Sequence, residues 1–370
     1  MTPETEEELS ALIAGAEGPL RIVGGDTRPV GKPVAGETLS TAALSGIVNY
    51  EPGALTLVAK AGTPVAEVER ALAAEGQRLP FEPMDHRGLL GTQGEPTIGG
   101  VVAANVSGPR RIQAGACRDF LLGVRFVDGM GRVLKNGGRV MKNVTGYDLV
   151  KLMAGSRGTL GVLTEVSFKV LPEPASAVTL ILNSNDELQA VAAMTAALRS
   201  PFEVTGAAHI GGKTRLRIEG FAESVAYRAK ALADHLSGFG QVEVVDAPDA
   251  VAALWREVRD VEPFHLADGD VWRYSVKPSD GPALALGLRE KGARDVILDW
   301  GGGLLWCLAP NGADMRPEGL NGHATLVRAS EETRAKLPVF QPEAALIQKV
   351  SQGLRDKFDP RGILNPGLMG

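Results

Sequence analysis

Apolar residues first recur at helical spacing behind an acidic start: Leu9, Leu12 and Ile13 follow Thr5-Glu6-Glu7-Glu8. Thr5 and Glu8 stand three apart, the spacing of a capping box, so a short amphipathic helix opens there. A brief strand, Arg21-Ile22-Val23, runs straight into Gly24-Gly25-Asp26-Thr27-Arg28. A second strand covers Leu55 to Ala61. The helix after it takes Thr63 as N-cap and Pro64 as its first residue, with Val65, Val68 and Leu72 on one face and Gly76 ending it.

Leu122 to Val127 and Gly161 to Val170 read as strands on either side of a Gly-rich region, and Leu171-Pro172-Glu173-Pro174 reads as a linker. Beyond it the texture changes. Longer helices (Glu187 to Leu198, Ala222 to Leu236) alternate with strands (Thr214 to Ile218, Val271 to Val276), an α+β pattern without internal repeat. The tail from Phe358 to Gly367 carries Asn365-Pro366-Gly367 and is predicted to dock, because termini fray unless tied down.

Composition narrows the classes. A formal charge of −5 offers no basic stripe for nucleic acid. Cys117 and Cys307 are far apart and form no CxxC pair, which argues against a disulfide framework, a cysteine-zinc site or an iron–sulfur cluster in this chain, and fits a reducing compartment. The acidic N-terminus is unlike a secretory or transit peptide, and no apolar run approaches a membrane span. A cytoplasmic location is expected, with any association at the inner face of the membrane made through a partner.

With 46 glycines and only 5% aromatics, the chain has many positions where backbone can approach a ligand closely. Gly24 to Arg28, directly after a strand, has the makings of a phosphate nest in which successive amides converge on an anion; the plain alternative is a strand-ending turn. Gly25 to Lys32 imitates a Walker A loop, but its glycine spacing is one too long and Pro33 replaces the hydroxyl. Thr97-Ile98-Gly99-Gly100-Val101-Val102-Ala103-Ala104-Asn105 strips side chains from about two helical turns, either for a flat ligand or for tight helix packing. Gly115-Ala116-Cys117-Arg118 adds a glycine and a cation, and Gly155, Gly158 and Gly161 recur before a strand.

The order of these segments carries more than any one of them. Gly24 to Thr27, Tyr50-Glu51-Pro52, Ala61-Gly62-Thr63, Glu82-Pro83, Thr97 to Asn105, Lys142 to Asp148 and Gly161 to Thr164 together resemble the FAD-binding domain of the p-cresol-methylhydroxylase (PCMH) and vanillyl-alcohol-oxidase type. The resemblance spans nearly the whole chain. Gly108-Pro109-Arg110-Arg111, Met141-Lys142-Asn143-Val144, Asp299-Trp300-Gly301-Gly302, Gly322-His323-Ala324-Thr325 and Asn365-Pro366-Gly367 are similar to the E subunit of glycolate oxidases or dehydrogenases.

That resemblance implies an α+β fold: a two-subdomain PCMH-type FAD-binding domain over residues 1–172, an α/β cap domain with an antiparallel sheet over 173–344, and a tail, 345–370, returning to the FAD domain. The cap is expected to cover the flavin's reactive face, packed by Trp255, Trp300 and Trp306. The resemblance further implies non-covalent FAD, with Gly24, Gly25, Asp26, Thr27 and Arg28 around the pyrophosphate. Thr97, Ile98, Gly99, Gly100, Ala103 and Asn105 would lie along the ribityl and flavin side. Gly158, Gly161 and Val162 would flank the cofactor from the second half, and Asn365 would bring the tail to it. Glu82, Pro83, Gly115 and Arg118 belong to the same ordered set.

Oxidation of an α-hydroxy acid needs a base for the hydroxyl proton and a cation for the carboxylate. The histidines (His86, His209, His235, His265, His323) include no pair at metal-ligand spacing, so no metal site is expected. His323, in its Gly-rich setting, is the candidate base; His86, beside Asp85, reads as solvated. Arg110, Arg111, Arg118, Arg273 and Lys277 are the cationic candidates, and strand alternation sets Arg273 and Lys277 opposite Trp272 and Tyr274. The expectation is an FAD-binding subunit of a bacterial glycolate dehydrogenase complex. Its partners would be a homologous catalytic flavoprotein subunit and an iron–sulfur subunit. The alternative is a self-sufficient FAD-dependent dehydrogenase of glycolate or D-lactate.

Overall fold

The computed structural model describes residues 1–139, 146–184 and 186–370. The first helix spans Glu6–Gly15, and Thr5 Oγ1 accepts the Glu8 amide at 3.1 Å. Only half of the capping box forms, since the Glu8 carboxylate reaches the Glu4 amide at 2.8 Å instead of that of Thr5. Glu6, Glu7 and Glu8 sit at the positive end of the helix dipole, while Leu9 and Ile13 are fully buried.

Leu20–Val23 pairs in parallel with Glu37–Ser40, and Leu364 from the tail bridges to Leu20. Next to this ribbon lies a five-stranded antiparallel sheet ordered Ile47–Glu51, Thr56–Lys60, Val162–Lys169, Leu121–Val127, Val133–Gly137. Its central strands bury Val58, Val166 and Phe168 completely. The helix Val65–Ala74 starts one residue later than expected. Pro64 is its cap, because the Thr63 hydroxyl is committed to Lys60 O at 2.7 Å and to Gly46. Gly76 leaves it at φ +61, a conformation open to glycine at little cost. Leu171–Pro172 is not a free linker: it pairs with Gln77–Arg78, tying the crossover to the first half.

The second half is an eight-stranded antiparallel sheet ordered Val242–Val245, Ser176–Asn183, Lys213–Gly220, Val204–Ile210, Asp295–Asp299, Leu304–Ala309, Asp270–Ser275, His323–Arg328. Strand alternation gives it two unlike faces. The registers Leu180↔Leu216, His209↔Leu298, Leu298↔Leu305 and Leu305↔Tyr274 set a largely apolar face. The opposite face carries Arg215, Arg217, Glu219, Asp299, Trp306, Arg273 and Thr325.

That polar face meets the first half. Arg217 ion-pairs Glu82 at 2.9 Å, and Glu219 takes Arg110 at 2.5 Å and Arg78 at 3.0 Å. Trp255 covers Arg217 with its ring 4.3 Å from the guanidinium and donates to Thr179 Oγ1 at 2.9 Å. The Trp300 indole N–H donates to Gly108 O at 3.0 Å. Trp255, Trp300 and Trp306 are all buried. Cys117 and Cys307 are buried free thiols.

Candidate functional site

A cleft opens where the Gly24–Arg28 turn leaves its strand. Its walls are that turn, Ala61, Thr97, Gly99, Gly100 and Ala103, the Arg157–Gly158 and Gly161–Val162 corner, and Arg334 and Asn365. Among the described residues, the backbone amides of Gly24, Gly25, Asp26, Thr27 and Arg28 donate to no protein acceptor. Five consecutive uncommitted amides, bent by Asp26 at φ 52, make a concave donor surface for an anion. Asp26 would oppose an anion, but Arg21 pairs with it at 2.6 Å.

The glycines here serve packing as well as ligand approach. A Cβ on Gly25 would lie 1.7 Å from Glu95 O, and one on Gly24 would lie 2.3 Å from Thr97 Oγ1. Gly99 is pressed against Ala61, where a Cβ would meet Ala61 Cβ at 2.6 Å. The tight-packing reading therefore holds for the Cα side of these residues. They line the cleft nonetheless, and Thr97 Oγ1 caps the helix Ile98–Ala103 by accepting the Gly100 amide at 3.3 Å.

Guanidinium groups supply the charge. Arg28 is fixed by Gly100 O at 2.7 Å, Arg157 stacks 4.7 Å from the Phe340 ring, and Arg334 reaches from the second half to Pro29 O at 2.5 Å. Burial lowers the Arg28 and Arg157 guanidiniums to about 10, still charged at neutral pH. The Nε of Arg334 is buried without a partner. Asn365, at φ 46, accepts the Ile22 amide at 2.8 Å and donates to Arg157 O at 2.9 Å, so the tail forms one wall. Free amides, half-buried cations and an orphaned guanidine nitrogen in one groove fit a dinucleotide diphosphate such as that of FAD.

Of the residues singled out from sequence, Gly24, Gly25, Asp26, Thr27, Arg28, Thr97, Gly99, Gly100, Ala103, Gly158, Gly161, Val162 and Asn365 line this cleft. Others stand elsewhere. Glu82 is consumed by Arg217 and Arg110, and Pro83 is buried beside it. Ile98 points into the core at zero exposure. Asn105 accepts the Arg118 amide at 3.1 Å, the Arg118 side chain is half exposed, and Gly115 packs against Asp119. His323 is exposed, opposite Ser275 at the start of an edge strand. Lys142, Asn143, Val144 and Thr145 lie outside the described residues.

Two residues depart from what the sequence suggests. His86 is not solvated: it is buried, its Nδ1 lies 3.2 Å from Arg28 Nε, and burial together with Arg28 holds it well below the usual histidine range. Arg334 carries no signal in the sequence, because only the fold brings residue 334 over residue 29. Among the described residues, no group of three His, Cys, Asp or Glu stands where it could hold a metal ion, and no helix is long and apolar enough to cross a membrane.

Comparison with known proteins places this geometry. Residues 1–137 match the FAD binding domain family. Over 357 residues the chain is 37% identical to glycolate oxidase subunit GlcE of Escherichia coli (strain K12), covering 95% of this chain and 92% of that one. It is also 32% identical over 138 residues to glycolate oxidase subunit GlcD of Bacillus subtilis (strain 168), 37% of this chain and 28% of that one. In fold it is similar to p-cresol methylhydroxylase (TM-score 0.72, 14% identity, 100% of this chain and 88% of that one). It is likewise similar to 4-ethylphenol oxidase from Gulosibacter chungangensis (TM-score 0.73, 15% identity, 100% and 88%). The α+β architecture with a PCMH-type FAD-binding half and an antiparallel cap sheet is thus that of a flavoprotein, and its cofactor is FAD. By sequence across almost its full length, the chain belongs to the family of glycolate oxidase subunit GlcE.

Proposed function

We propose that this chain holds FAD non-covalently in the cleft and serves as the flavin-binding subunit of a bacterial glycolate dehydrogenase complex. The observation that carries this reading is the run of five amides, Gly24 to Arg28, left without acceptors beneath Arg28, Arg157 and Arg334. These amides would hold the diphosphate, and Gly99, Gly100 and Ala103 would let the ribityl chain pass close to backbone. Bound FAD supplies a hydride acceptor for oxidation of an α-hydroxy acid, here glycolate to glyoxylate.

Turnover is assigned to a homologous flavoprotein partner, with electrons leaving through an iron–sulfur subunit on the cytoplasmic side. Two observations support this division. A protein named as a different glycolate oxidase subunit, GlcD, is similar to this chain over 138 residues. Neither His323, which is exposed on an edge strand and does not line the cleft, nor His86, whose Nδ1 is taken by Arg28 Nε, offers a free imidazole base at the cleft. The test is to load the purified chain with FAD and add glycolate without oxygen. The flavin should keep its colour until the partner subunit is added. Rapid bleaching of the chain alone would establish the self-sufficient dehydrogenase, and a chain that takes up no FAD would end both readings.

A further inference from the structure

The helix Ala345–Phe358 stands largely outside the packing that holds the rest of the fold. Its C-terminal end is seated: Leu354 and Phe358 lie partly buried against the core, and the Phe358 ring lies 6.1 Å from that of Phe126. Its N-terminal half is not. Every residue from Pro342 to Val350 is exposed, including Leu346 at 72%, Ile347 at 52% and Val350 at 55%. Among the described residues, no side chain of this helix hydrogen-bonds or ion-pairs outside it, since Gln352 bonds Asp356 within it at 2.8 Å. Helices of this length are marginal in water without a packed face. The bare stripe calls for a cover.

One residue of the helix has no purpose inside the chain. Gly353 lies in the helical interior, where glycine is less favourable than alanine. A Cβ built there would meet nothing within 4 Å, and its φ is not positive, so neither packing nor backbone requires glycine. It leaves an open notch on the surface.

The stripe and the notch complement each other when the helix is reversed. Glu343, Leu346 with Ile347, Val350, Gly353 with Leu354, and Lys357 recur at the spacing of a helix-pairing seam. A second copy laid antiparallel about Val350 sets Leu346 opposite Leu354 and Ile347 opposite Gly353. Glu343 then meets Lys357 at both ends. A parallel copy would set glutamate against glutamate and lysine against lysine. The same patch meeting itself about a two-fold axis is the mark of an isologous contact. Glu343 and Lys357 also suit the dipole of their own helix, but that role gives no reason for the glycine.

We propose that the bare face of Ala345–Phe358 is the contact with a second copy of this chain. The two helices run antiparallel across an axis at Val350, with Ile347 of each copy in the notch at Gly353 of the other. The inference goes beyond the proposed function and does not depend on it, because no residue of the seam lines the FAD cleft.

The test is analytical ultracentrifugation of the full chain, with and without FAD, over a range of concentrations. One helix pair covers less than the roughly 1,200 Å² of a standard complex, so a reversible dimer at about 10–100 µM chain is expected. Val350→Glu sets two carboxylates on the axis and should weaken association at least about tenfold, with FAD content unchanged. Gly353→Gln should raise the urea midpoint, because the helix improves, yet weaken association about tenfold as the notch fills. Glu343→Lys and Lys357→Glu should each weaken it about threefold, and the double exchange should bring it back to within about twofold of native. Charges that served only the helix dipole would leave association unmoved by any exchange. The proposal falls if the native chain stays monomeric up to about 0.5 mM. It falls also if Val350→Glu or Gly353→Gln associates as tightly as native, or if the double exchange recovers nothing. Loss of binding to the homologous flavoprotein subunit in Val350→Glu, with the native chain alone monomeric, would give this face to that subunit and overturn the second copy. A monomer that takes up FAD overturns this inference alone, whereas a dimer that takes up none overturns the proposed function alone.

Discussion

Arg217 on the cap sheet donates two hydrogen bonds to Glu82 on the FAD-binding half, at 2.9 and 3.0 Å, with Arg217 buried and the Glu82 side chain only 10% exposed. Arg110 approaches the same carboxylate at 3.1 Å and joins it to Glu219, so the two halves are pinned by a five-member network with Arg78 at its rim. A fork-to-fork pair fixes orientation as well as distance. Here it sets the angle at which the cap meets the flavin cleft.

Removing one member leaves a buried charge without its partner. Arg217→Met is expected to cost about 3–5 kcal/mol, and Glu82→Leu combined with Arg217→Met less than the sum of the two single changes. Urea unfolding of the three variants measures this. Burial pushes the Glu82 carboxyl up, but Arg217 and Arg110 outweigh it and hold it below the usual range; the Glu219 carboxyl is lowered too. Depressed carboxyls stabilise the fold above their unfolded value of about 4.3 and lose that contribution as pH falls through the folded value. The contribution of this network should therefore be level from about pH 6 to 8 and decline below about pH 4.5, and the acid-side loss should be shallower in the double variant.

The cleft makes a sharper demand on one glycine. Gly25→Ala puts a methyl where Glu95 O stands, 1.7 Å from the ideal Cβ position, so the turn must move and its amides lose their convergence. FAD affinity is expected to fall at least about tenfold, the loss of roughly one good contact to a diphosphate. Gly53→Ala, whose Cβ would meet nothing within 4 Å, is the control and should bind FAD normally. Equilibrium titration with FAD decides between them; equal affinities would show that the turn does not hold the cofactor.

This contrast also marks what sequence can reveal. Gly24 to Arg28 is legible because its chemistry is local: a strand, two glycines and hydrogen-bonding side chains in one stretch. Glu82 and Arg217 are not. They stand 135 positions apart; Glu82 enters the sequence reading only through the FAD-domain resemblance, and nothing local to either residue points to the other. The same limit hides His86, whose neighbours Asp85 and Arg87 suggest water while Arg28, 58 positions away, closes over it. Thr63 has the right chemistry for a cap, but a tertiary contact with Gly46 takes its hydroxyl. Strand alternation does separate Arg273 from Trp272 and Tyr274, yet only the register to Trp306 shows what that face meets.

The tail tests whether cofactor binding depends on the end of the chain. Asn365 joins Ile22, at the edge of the phosphate turn, to Arg157 through two hydrogen bonds of 2.8 and 2.9 Å. Asn365→Leu removes both and leaves the Ile22 amide without its partner, a cost of about 1–3 kcal/mol. FAD should dissociate faster, and the last residues should become more open to carboxypeptidase, because only the backbone contacts of Leu20 and Lys32 with Ile363, Leu364, residue 365 and Leu368 would remain to anchor them. Stopped-flow release of FAD measures the first effect. An unchanged release rate would place the tail outside the binding site.

Asp299 gives a pH signature of the opposite sign. Burial raises its carboxyl to about 7, against the lowering effects of the Trp300 amide, which it accepts at 2.7 Å, and of Arg217 and Arg273. The folded chain then binds a proton between about pH 3.9, the unfolded value, and 7, so stability falls as pH rises through that window and levels off above it. Asparagine keeps an oxygen for the Trp300 amide and does not titrate. Asp299→Asn should therefore gain on the native chain as pH rises from about 4 to 7, reaching a few kcal/mol at about pH 8, since each tenfold difference in acidity between folded and unfolded chain is worth about 1.36 kcal/mol. Urea midpoints at pH 5 and pH 8 supply the measurement. A constant difference between the two proteins would mean that Asp299 ionises as it does in water, and that the polar face of the cap sheet is wetter than its packing against the FAD half implies.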